Sequence, residues 1–269
     1  MNSKSDKVII TESLDRIGTG VVEMYIAHAL CTSGSAVFRY NDRRLEFREG
    51  DLLIVRKGRL VEDFNASPDF KVRVIYVDPL FIEVSTPLTN YGMKGSVALF
   101  FNPVMRLDRC QFEACMSDFS VVEARLNAVS AIFYEEGLRC AVQLMILDFF
   151  EFHASIYGQD VISSQSANIM SRFFRLLDSG LYRKNREVSF YASELCVSPK
   201  YLSEVCRKTS GHSANFWVNR YTSLEISRLL RDKSLTFVQI TDMFNFSSQA
   251  YFSRYVQRNL GKVPSEYRE

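Results

Sequence analysis

Between residues 189 and 268 the sequence contains two copies of one pattern, a short apolar helix followed by a tight turn and a second helix. In the first copy the apolar pattern meets Cys196-Val197-Ser198 and starts again at Pro199. Ser198 is a good N-cap because its hydroxyl can accept a hydrogen bond from a backbone N–H, and Pro199 suits the first helical position, where a missing N–H costs nothing. The sequence therefore predicts a helix-turn-helix whose second helix starts at Pro199.

The second copy spans residues 235–268, and its first helix has a predicted apolar face. The residues of this face are Val238, Ile240 and Met243. The break at Phe244-Asn245-Phe246 contains an asparagine, which tolerates the left-handed conformation that a tight turn between helices often requires. Ser247 is expected to cap the second helix, in which Phe252 and Val256 are the predicted buried residues.

Between the two copies, residues 213–231 contain neither Gly nor Pro, and their pattern predicts one continuous helix. A helix of roughly 20 residues is about 30 Å long. Successive major grooves on one face of a DNA duplex are roughly 34 Å apart. We therefore expect this helix to hold the two helix-turn-helix units about one turn of DNA apart.

A set of residues across this region has a characteristic order and spacing. Its members are Ala192, Leu195, Val197-Ser198, Tyr201-Leu202, Gly211, Arg220, Leu229-Leu230, Ile240, Phe246-Ser247, Tyr251-Phe252-Ser253-Arg254, Gly261, Pro264 and Tyr267-Arg268. The set resembles the DNA-binding domain of AraC/XylS-type transcription regulators over roughly 80 residues. Asn245 and Ile226 depart from the family pattern, which usually has Gly and Ala at these positions. The resemblance implies that the second helix of each unit enters the major groove of DNA.

The resemblance also implies which side chains contact DNA. The expected base-reading residues are Lys200, Ser203 and Glu204 in the first unit, and Gln249, Ala250 and Arg254 in the second. The expected phosphate contacts are Arg207, Lys208, Arg258 and Lys262. Arg254 can donate two hydrogen bonds to guanine, and Gln249 can pair with adenine in the same way. For Glu204 two roles stay open, acceptance from cytosine N4 and exclusion of other sequences.

Charge is distributed unevenly along the chain. Residues 1–166 contain 17 Lys and Arg against 22 Asp and Glu, whereas residues 167–269 contain 16 against 9. A basic turn, Arg183-Lys184-Asn185-Arg186, leads into the first helix-turn-helix. A domain that binds a polyanion requires such an excess of positive charge. The 269 residues, 47% of them hydrophobic, are enough for two ordinary domains.

The N-terminal region is rich in short strand patterns. They cover residues 21–26, 36–40, 45–47, 52–55 and 72–77. Closely spaced strands with short connections, including a predicted hairpin turn at Asn41-Asp42, indicate a small β-barrel or a sandwich. Residues 49–54 resemble the Gly-Asp-apolar segment of cupin-like domains, which AraC-type regulators commonly carry before their DNA-binding part.

After a less regular stretch, residues 79–112, apolar residues recur at helical spacing in two segments. The two stripes are Val122, Leu126, Val129 and Phe133, and then Leu138, Val142, Met145, Phe149, Phe152 and Ile156. Glu135-Glu136-Gly137 is the predicted turn between them, so the pair should form an antiparallel hairpin. Two interpretations stay open, since the stripes could pack only against each other and the barrel, or part of the hairpin could form a homodimer interface.

His28 is the only histidine of the strand-rich region, whereas a cupin metal site needs two or three. We therefore expect no metal and no cofactor, and an ordinary structural or surface role for His28. Residues 1–166 contain no nucleophile–base constellation and no Gly-rich phosphate loop, so the chain is not expected to be an enzyme. A DNA-modifying or repair enzyme fused to the same DNA-binding domain is the alternative.

The N-terminus has no apolar segment of signal-peptide length, and Asp148 and Glu151 interrupt the most apolar helix pattern, residues 141–152. We therefore expect a cytoplasmic protein without a membrane partner. The six cysteines form no CxxC pair, so we expect reduced thiols, with a redox pair of Cys110 and Cys115 as the alternative.

These patterns predict an α+β protein, with a small cupin-like N-terminal β-barrel and a helical hairpin, followed by an all-α domain of two helix-turn-helix units joined by a long helix. The expected parts are a sensing and dimerisation domain at 1–157, a linker at 158–166 and a DNA-binding domain at 167–269, with a helix from Asn168. We expect a sequence-specific transcription regulator controlled by an effector or by dimerisation. The expected partners are double-stranded DNA, a small-molecule effector, a second copy of the chain and RNA polymerase. A DNA-binding structural dimer without an effector is the alternative.

Overall fold

The chain separates into two compact units, Met1–Val161 and Ile162–Glu269. The computed structural model describes residues 7–41, 43–86, 91–158 and 162–268. The strands in these residues are β1 Val8–Thr11, β2 Ile26–Ser33, β3 Ser35–Tyr40, β4 Arg43–Arg48, β5 Asp51–Val55, β6 Val61–Ala66, β7 Lys71–Val77 and β8 Val104–Arg106. The helices are α1 Pro79–Ser85, α2 Gly92–Phe101, α3 Arg109–Asn127, α4 Tyr134–Tyr157, α5 Ser164–Asp178, α6 Val188–Glu194, α7 Pro199–Ser210, α8 Ala214–Arg231, α9 Phe237–Met243 and α10 Gln249–Leu260. The α+β class is confirmed.

The strands of the first unit form two antiparallel sheets. One has the order β1-β7-β2-β5-β8 and the other the order β4-β3-β6. Within the described residues these sheets make a sandwich and do not close into one barrel. The β3–β4 hairpin pairs Tyr40 with Arg43, and Asn41 has the positive φ of 52° that a tight hairpin turn requires. The other residue of the predicted turn, Asp42, lies outside the described residues.

The five-stranded sheet is covered on both faces. In β5 all five residues are buried. Leu52 and Ile54 point into a core that includes side chains of α3 and α4, whereas Leu53 and Val55 point into the core between the two sheets. Because successive strand residues alternate between faces, a strand buried on both sides reads as a continuous apolar run. The first unit therefore has three layers, with the larger sheet in the middle.

Several predicted strand bounds were wrong. Residues 21–26 do not form a strand, since Gly20–Val22 is a turn of 3-10 helix, Val21 is exposed and β2 begins at Ile26. The sequence patterns also missed β1, β6 and β8. Strand β6 carries Glu62 and Asp63 and lies at the edge of the smaller sheet, where charged residues are common. Such strands are defined by their pairing partner more than by their own apolar pattern.

Helices α3 and α4 form the predicted antiparallel hairpin. The Gln111 amide at the start of α3 donates to Ser155 Oγ near the end of α4 at 2.7 Å. The predicted turn was wrong, because Glu135-Glu136-Gly137 lies in the first turn of α4 and the chain reverses at residues 128–133. Val129 and Phe133 are accordingly exposed rather than part of the buried stripe. A single glycine in the first turn of a 24-residue helix is tolerated because the rest of the helix is well packed.

The stretch that was expected to be less regular, residues 79–112, contains α1, α2 and β8 and the start of α3. Asp78 caps α1 by accepting from the N–H groups of Leu80 and Phe81. Asp108 caps α3 in a capping box with Gln111. Both signals are present in the sequence, so these helix starts were predictable.

In the described residues of the second unit, all regular secondary structure is helical. Its first helix, α5, begins at Ser164 because Ser163 accepts a hydrogen bond from the Ser166 N–H at 3.2 Å. This start precedes the predicted one at Asn168, and residues 159–161 of the predicted linker lie outside the described residues. Among the described residues, no helix is long and apolar enough to cross a bilayer.

Candidate DNA-binding surface

Helices α6 and α7 form the first helix-turn-helix. In the turn Cys196 has a φ of 57°, in the left-handed region. Ser198 Oγ then accepts from the Tyr201 N–H at 3.2 Å, and Pro199 occupies the first position of α7. One side of α7 is fully buried through Leu202, Val205 and Cys206. The predicted turn, cap and buried stripe of this unit are confirmed.

The opposite side of α7 is polar and faces solvent. Four of the predicted DNA-contacting residues are exposed there, Lys200, Glu204, Arg207 and Lys208. Ser203 is half-buried. Glu204 and Lys208 form a salt bridge of 3.0 Å one helical turn apart, and the hydrogen bond from Lys208 lowers the pKa of Glu204. Lys208 is thus already engaged by Glu204 before any contact with DNA.

Helices α9 and α10 form the second helix-turn-helix. Asn245 has a φ of 49°, which confirms the predicted left-handed turn. The cap of α10 is Ser248, whose Oγ accepts from the Tyr251 N–H at 3.2 Å, so the assignment to Ser247 was wrong. Either serine suits the N-cap preference, and sequence cannot separate two identical neighbours.

The predicted apolar face of α9 was only partly right. Ile240 is fully buried, whereas Val238 and Met243 are exposed. Phe244 and Phe246, on either side of the turn, supply the buried contacts instead. On α10 the buried residues are Phe252 and Val256, as predicted. The predicted DNA-contacting residues Gln249, Ala250, Arg254, Arg258 and Lys262 are all exposed.

Helix α8 supports both units. Trp217 is fully buried, and its indole N–H donates to Ser210 Oγ at the end of α7 at 2.8 Å. On the other side, Tyr255 of α10 donates from its hydroxyl to Asn219 Oδ1 at 2.9 Å. The 18 residues of α8 make it about 27 Å long. One rigid helix therefore holds both α7 and α10.

The basic turn before α6 has a structural role that the sequence did not reveal. Arg183 forms an ion pair with Glu225, a buried carboxylate on α8 that also accepts from the Tyr182 hydroxyl at 2.6 Å. Arg186 donates to the backbone carbonyls of Phe244 and Asn245 in the second helix-turn-helix. The sequence carries no local signal for either contact, because the burial of Glu225 is visible only in the structure.

In the first unit, two buried polar groups lie near the cores. His28 is buried against Phe149, with its Nδ1 3.3 Å from the Ile75 carbonyl, and burial lowers its pKa to about 4. His28 is therefore neutral and structural. The Tyr76 hydroxyl is buried without a hydrogen-bond partner among the described residues. No group of three His, Cys, Asp or Glu that could hold a metal ion occurs in the parts of the chain described above.

Two family models match the sequence. Residues 191–269 match the helix-turn-helix domain, and residues 29–89 match the AraC-like ligand binding domain. The two matched segments together cover just over half of the chain, and their order is that of a ligand-binding domain followed by a DNA-binding domain.

Curated relatives match about 100 residues of the chain at low identity. The chain is 24% identical over 103 residues to the probable transcription factor PqrA of Proteus vulgaris, which covers 38% of this chain and 84% of PqrA. It is 28% identical over 100 residues to the regulatory protein PocR of Salmonella typhimurium, which covers 37% of this chain and 33% of PocR. The match thus spans only a third of the length of PocR.

A solved structure of ToxT from Vibrio cholerae aligns with 97% of this chain and 97% of its own, at 15% sequence identity and a TM-score of 0.44. The family assignment rests on the two sequence models and their order. The chain belongs to the AraC-type helix-turn-helix transcription regulators, with an N-terminal AraC-like ligand-binding domain.

Proposed function

We propose that this regulator binds DNA in a sequence-specific manner and reads two adjacent major-groove segments with α7 and α10. The observation that carries the proposal is common to both helices. Each has one side buried in the domain and, except for the half-buried Ser203, presents the residues expected to contact DNA on the other, exposed side. An exposed polar face on a rigidly packed second helix is the arrangement with which helix-turn-helix proteins enter the groove.

The base-reading roles go to residues in the first two turns of these helices. In α10, Arg254 would donate to guanine O6 and N7 and Gln249 would pair with adenine, while Ala250 offers a methyl contact. In α7 the corresponding residues are Lys200, Ser203 and Glu204. Because Glu204 is held by Lys208, its carboxylate is already oriented along the helix.

Phosphate contacts would supply affinity without sequence choice. The residues proposed for them are Arg207, Lys208, Arg258 and Lys262. Their side chains are exposed. Each cation that neutralises a phosphate releases counterions, so it steepens the dependence of binding on salt.

Arg254 and Arg258 provide a matched test, because both are exposed arginines of one helix, one turn apart. The DNA would be the sequence that the wild-type chain selects from a random pool. Arg254→Ala should relax the preference at one base position by about 1–3 kcal/mol. Arg258→Ala should weaken binding to every sequence alike and lower the slope of log K against log salt by about 1.

An unchanged base preference in Arg254→Ala would remove the assigned reading role. If the wild-type chain selects no common sequence from the pool at roughly physiological salt, the proposal of sequence-specific binding fails as a whole.

For the N-terminal unit we propose control by a small-molecule effector, held between the two sheets. The support is the match of residues 29–89 to a ligand-binding domain, and the buried Tyr76 hydroxyl, which a ligand acceptor could satisfy. A thermal-shift screen of the full chain against small metabolites tests this. A ligand that raises the Tm and changes the affinity for the selected DNA supports control by an effector. If no compound in the screen does both, a structural dimer without an effector is favoured.

We also propose residues 1–157 as the sensing and dimerisation domain and residues 167–269 as the DNA-binding domain. Limited proteolysis of the full chain should then cut first between residues 158 and 163, ahead of α5. A first cut inside either proposed domain would contradict these bounds.

A further inference from the structure

We propose that Arg186 is a positioning residue for DNA reading, because it sets the orientation of the second reading helix, α10, relative to the first helix-turn-helix. This inference rests on the proposed function, in which α7 and α10 read one continuous site. Arg186 precedes α6 in the sequence, yet its side chain ends at the turn between α9 and α10. It is therefore a direct link between the two helix-turn-helix units, separate from the link through α8.

The guanidinium of Arg186 holds the second turn through several contacts. Nη1 donates to the Phe244 carbonyl and, at 3.2 Å, to the Arg183 carbonyl, while Nη2 lies 3.4 Å from the Asn245 carbonyl. The guanidinium also lies over the ring of Phe246, 4.1 Å from its centre. Three consecutive residues of the turn are thus held by one side chain.

The contact with Phe246 extends to α10. Phe246 is buried, and its ring centre lies 5.4 Å from that of Phe252, 5.1 Å from that of Tyr255 and 5.8 Å from that of Tyr251. All three are residues of α10. Because these rings pack against one another, a shift of Phe246 requires a shift of α10.

The other end of the link is anchored in the first helix-turn-helix. Tyr191 of α6 is fully buried, and its hydroxyl donates to the Asn185 carbonyl at 2.9 Å. The ring of Tyr191 packs edge-on against Phe173 of α5. The backbone that carries Arg186 is therefore fixed to the first helix-turn-helix one residue before Arg186.

A direct link matters because the helices of the two helix-turn-helix units pack on α5 and α8 more than on each other. Within residues 162–268, α6 and α7 do not pack extensively on α9 or α10. The turn that Arg186 holds also contains Asn245 in a left-handed conformation where the family usually has Gly. A reading helix has to be held to within roughly 0.5 Å and 10–20° of its productive geometry. Arginine suits this task because its planar fork can donate to two carbonyls while one face stacks on an aromatic ring.

The test compares full-length chains. Arg186→Lys keeps the charge but lacks the planar fork, and Arg186→Met keeps much of the apolar stem without any donor. Lys184→Met removes an exposed positive charge from the same basic turn and serves as the matched control. Each DNA element is the major-groove segment read by one helix, the first by α7 and the second by α10. The DNA probes are the two-element site that the wild type selects, the first element alone, and two-element sites with the spacer between the elements lengthened or shortened by one base pair.

We expect Arg186→Lys and Arg186→Met to bind the two-element site at least about tenfold more weakly than the wild type, since neither side chain can donate to both carbonyls while stacking on Phe246 and so hold α10 in place. Binding to the first element alone should stay unchanged. The penalty for an altered spacer should also shrink, because α10 is no longer held at one orientation. Lys184→Met should keep the wild-type spacer profile.

Hydrogen exchange of the full chain without DNA gives a second readout. In Arg186→Met the amides of residues 244–260 should exchange faster, whereas those of α6 and α7 should keep wild-type rates. Faster exchange in α6 and α7 as well, or equal loss of binding to one and two elements, would mean general unfolding and would overturn the proposal.

Two failures can be told apart. If the wild type selects no common sequence, the proposed function fails and this inference fails with it. If the wild type binds two elements with a strict spacer, but Arg186→Lys and Arg186→Met keep that spacer preference, the inference alone is overturned.

Discussion

Two residues adopt left-handed backbone conformations at the turns of the two helix-turn-helix units. Asn245 has a φ of 49° and Cys196 a φ of 57°. Asparagine visits this region readily because its short polar side chain can interact locally, but cysteine has no such advantage. The strain is therefore greater at Cys196, whose side chain is exposed and adds little packing in return.

Replacing Cys196 with glycine should stabilise the C-terminal compact unit, Ile162–Glu269. Glycine reaches positive φ without a Cβ clash, and part of that gain is offset by the greater freedom of glycine in the unfolded chain. We expect Cys196→Gly to raise the free energy of unfolding by roughly 0.5–1 kcal/mol. Cys196→Ala is the matched control, because it removes the thiol but keeps the Cβ. Equal stability of the two variants in urea unfolding would show that φ is not the cause.

Local signals explain which residue roles were predictable. Ser198 and Pro199 define the start of α7 through contacts within one helical turn, so sequence alone places them. The contact of Arg186 with the Phe244 carbonyl joins positions 58 residues apart, and nothing in the local sequence of either indicates the other. Arg186 could only be read as part of a basic turn.

At the scale of single elements, the α3–α4 hairpin contains an unfavourable pair of acids. Asp118 of α3 is only 6% exposed, one of its carboxyl oxygens has no hydrogen-bond partner, and its neighbour is Asp148 of α4. Burial first, and the Asp148 carboxyl second, raise the pKa of Asp118 to about 7. Arg73 does not neutralise the pair, because it is engaged by Glu123 at 2.7 Å.

This pair should make the first unit less stable as pH rises. The folded state keeps a proton on Asp118 that the unfolded chain loses near pH 4, so the stabilisation is fully present below about pH 4 and is lost as pH rises through about 7. We expect Asp118→Asn to be more stable than the wild type at pH 8 by roughly 1–3 kcal/mol. The difference should shrink towards pH 4, where both carry a neutral side chain.

Thermal unfolding of the full chain across this pH range is the measurement. Glu136→Gln, an exposed change on the same helix as Asp148, should keep the wild-type profile. A parallel decline of Asp118→Asn and the wild type between pH 5 and 8 would assign the pH dependence to other groups.

The hairpin also shows what periodicity can and cannot predict. Val122, Val142, Met145 and Phe149 lie at helical spacing, and all are buried in the core shared with the larger sheet. The spacing correctly indicated burial for these four residues but not for Val129, Phe133 and Ile156, which are exposed. The reversal at residues 128–133 was missed because the segment Ala128-Val129-Ser130-Ala131-Ile132-Phe133 contains neither Gly nor Pro and carries apolar residues that continue the pattern.

At the scale of the whole molecule, the buried residues of the two predicted stripes belong to the core of a single copy. An interface on the hairpin would have to use its outer face. Leu144 and Leu147 of α4 are 49% and 40% exposed, and Val121 of α3 is exposed as well. Exposed aliphatic residues one turn apart on a helix are suited to pack against a second copy.

We expect the double variant Leu144→Lys and Leu147→Lys to be monomeric if the wild type is a dimer through this face. Buried lysines would lack partners across a two-fold interface and would repel their symmetry mates. Analytical ultracentrifugation of the full chain measures the mass. Ile132→Lys, at a 91% exposed residue of the hairpin tip, should leave the mass unchanged. A double variant that remains dimeric would place the interface elsewhere.

Trp217 is the single tryptophan of the chain, and it is buried in the second unit with its indole N–H bonded to Ser210. Its fluorescence therefore arises from the DNA-binding half alone. Unfolding followed by tryptophan emission should report that half, whereas circular dichroism reports both, so the two signals can separate the melting of one unit from that of the other. An effector that acts on the first unit could thus be followed by whether, and how far, it changes the emission of a residue in the second.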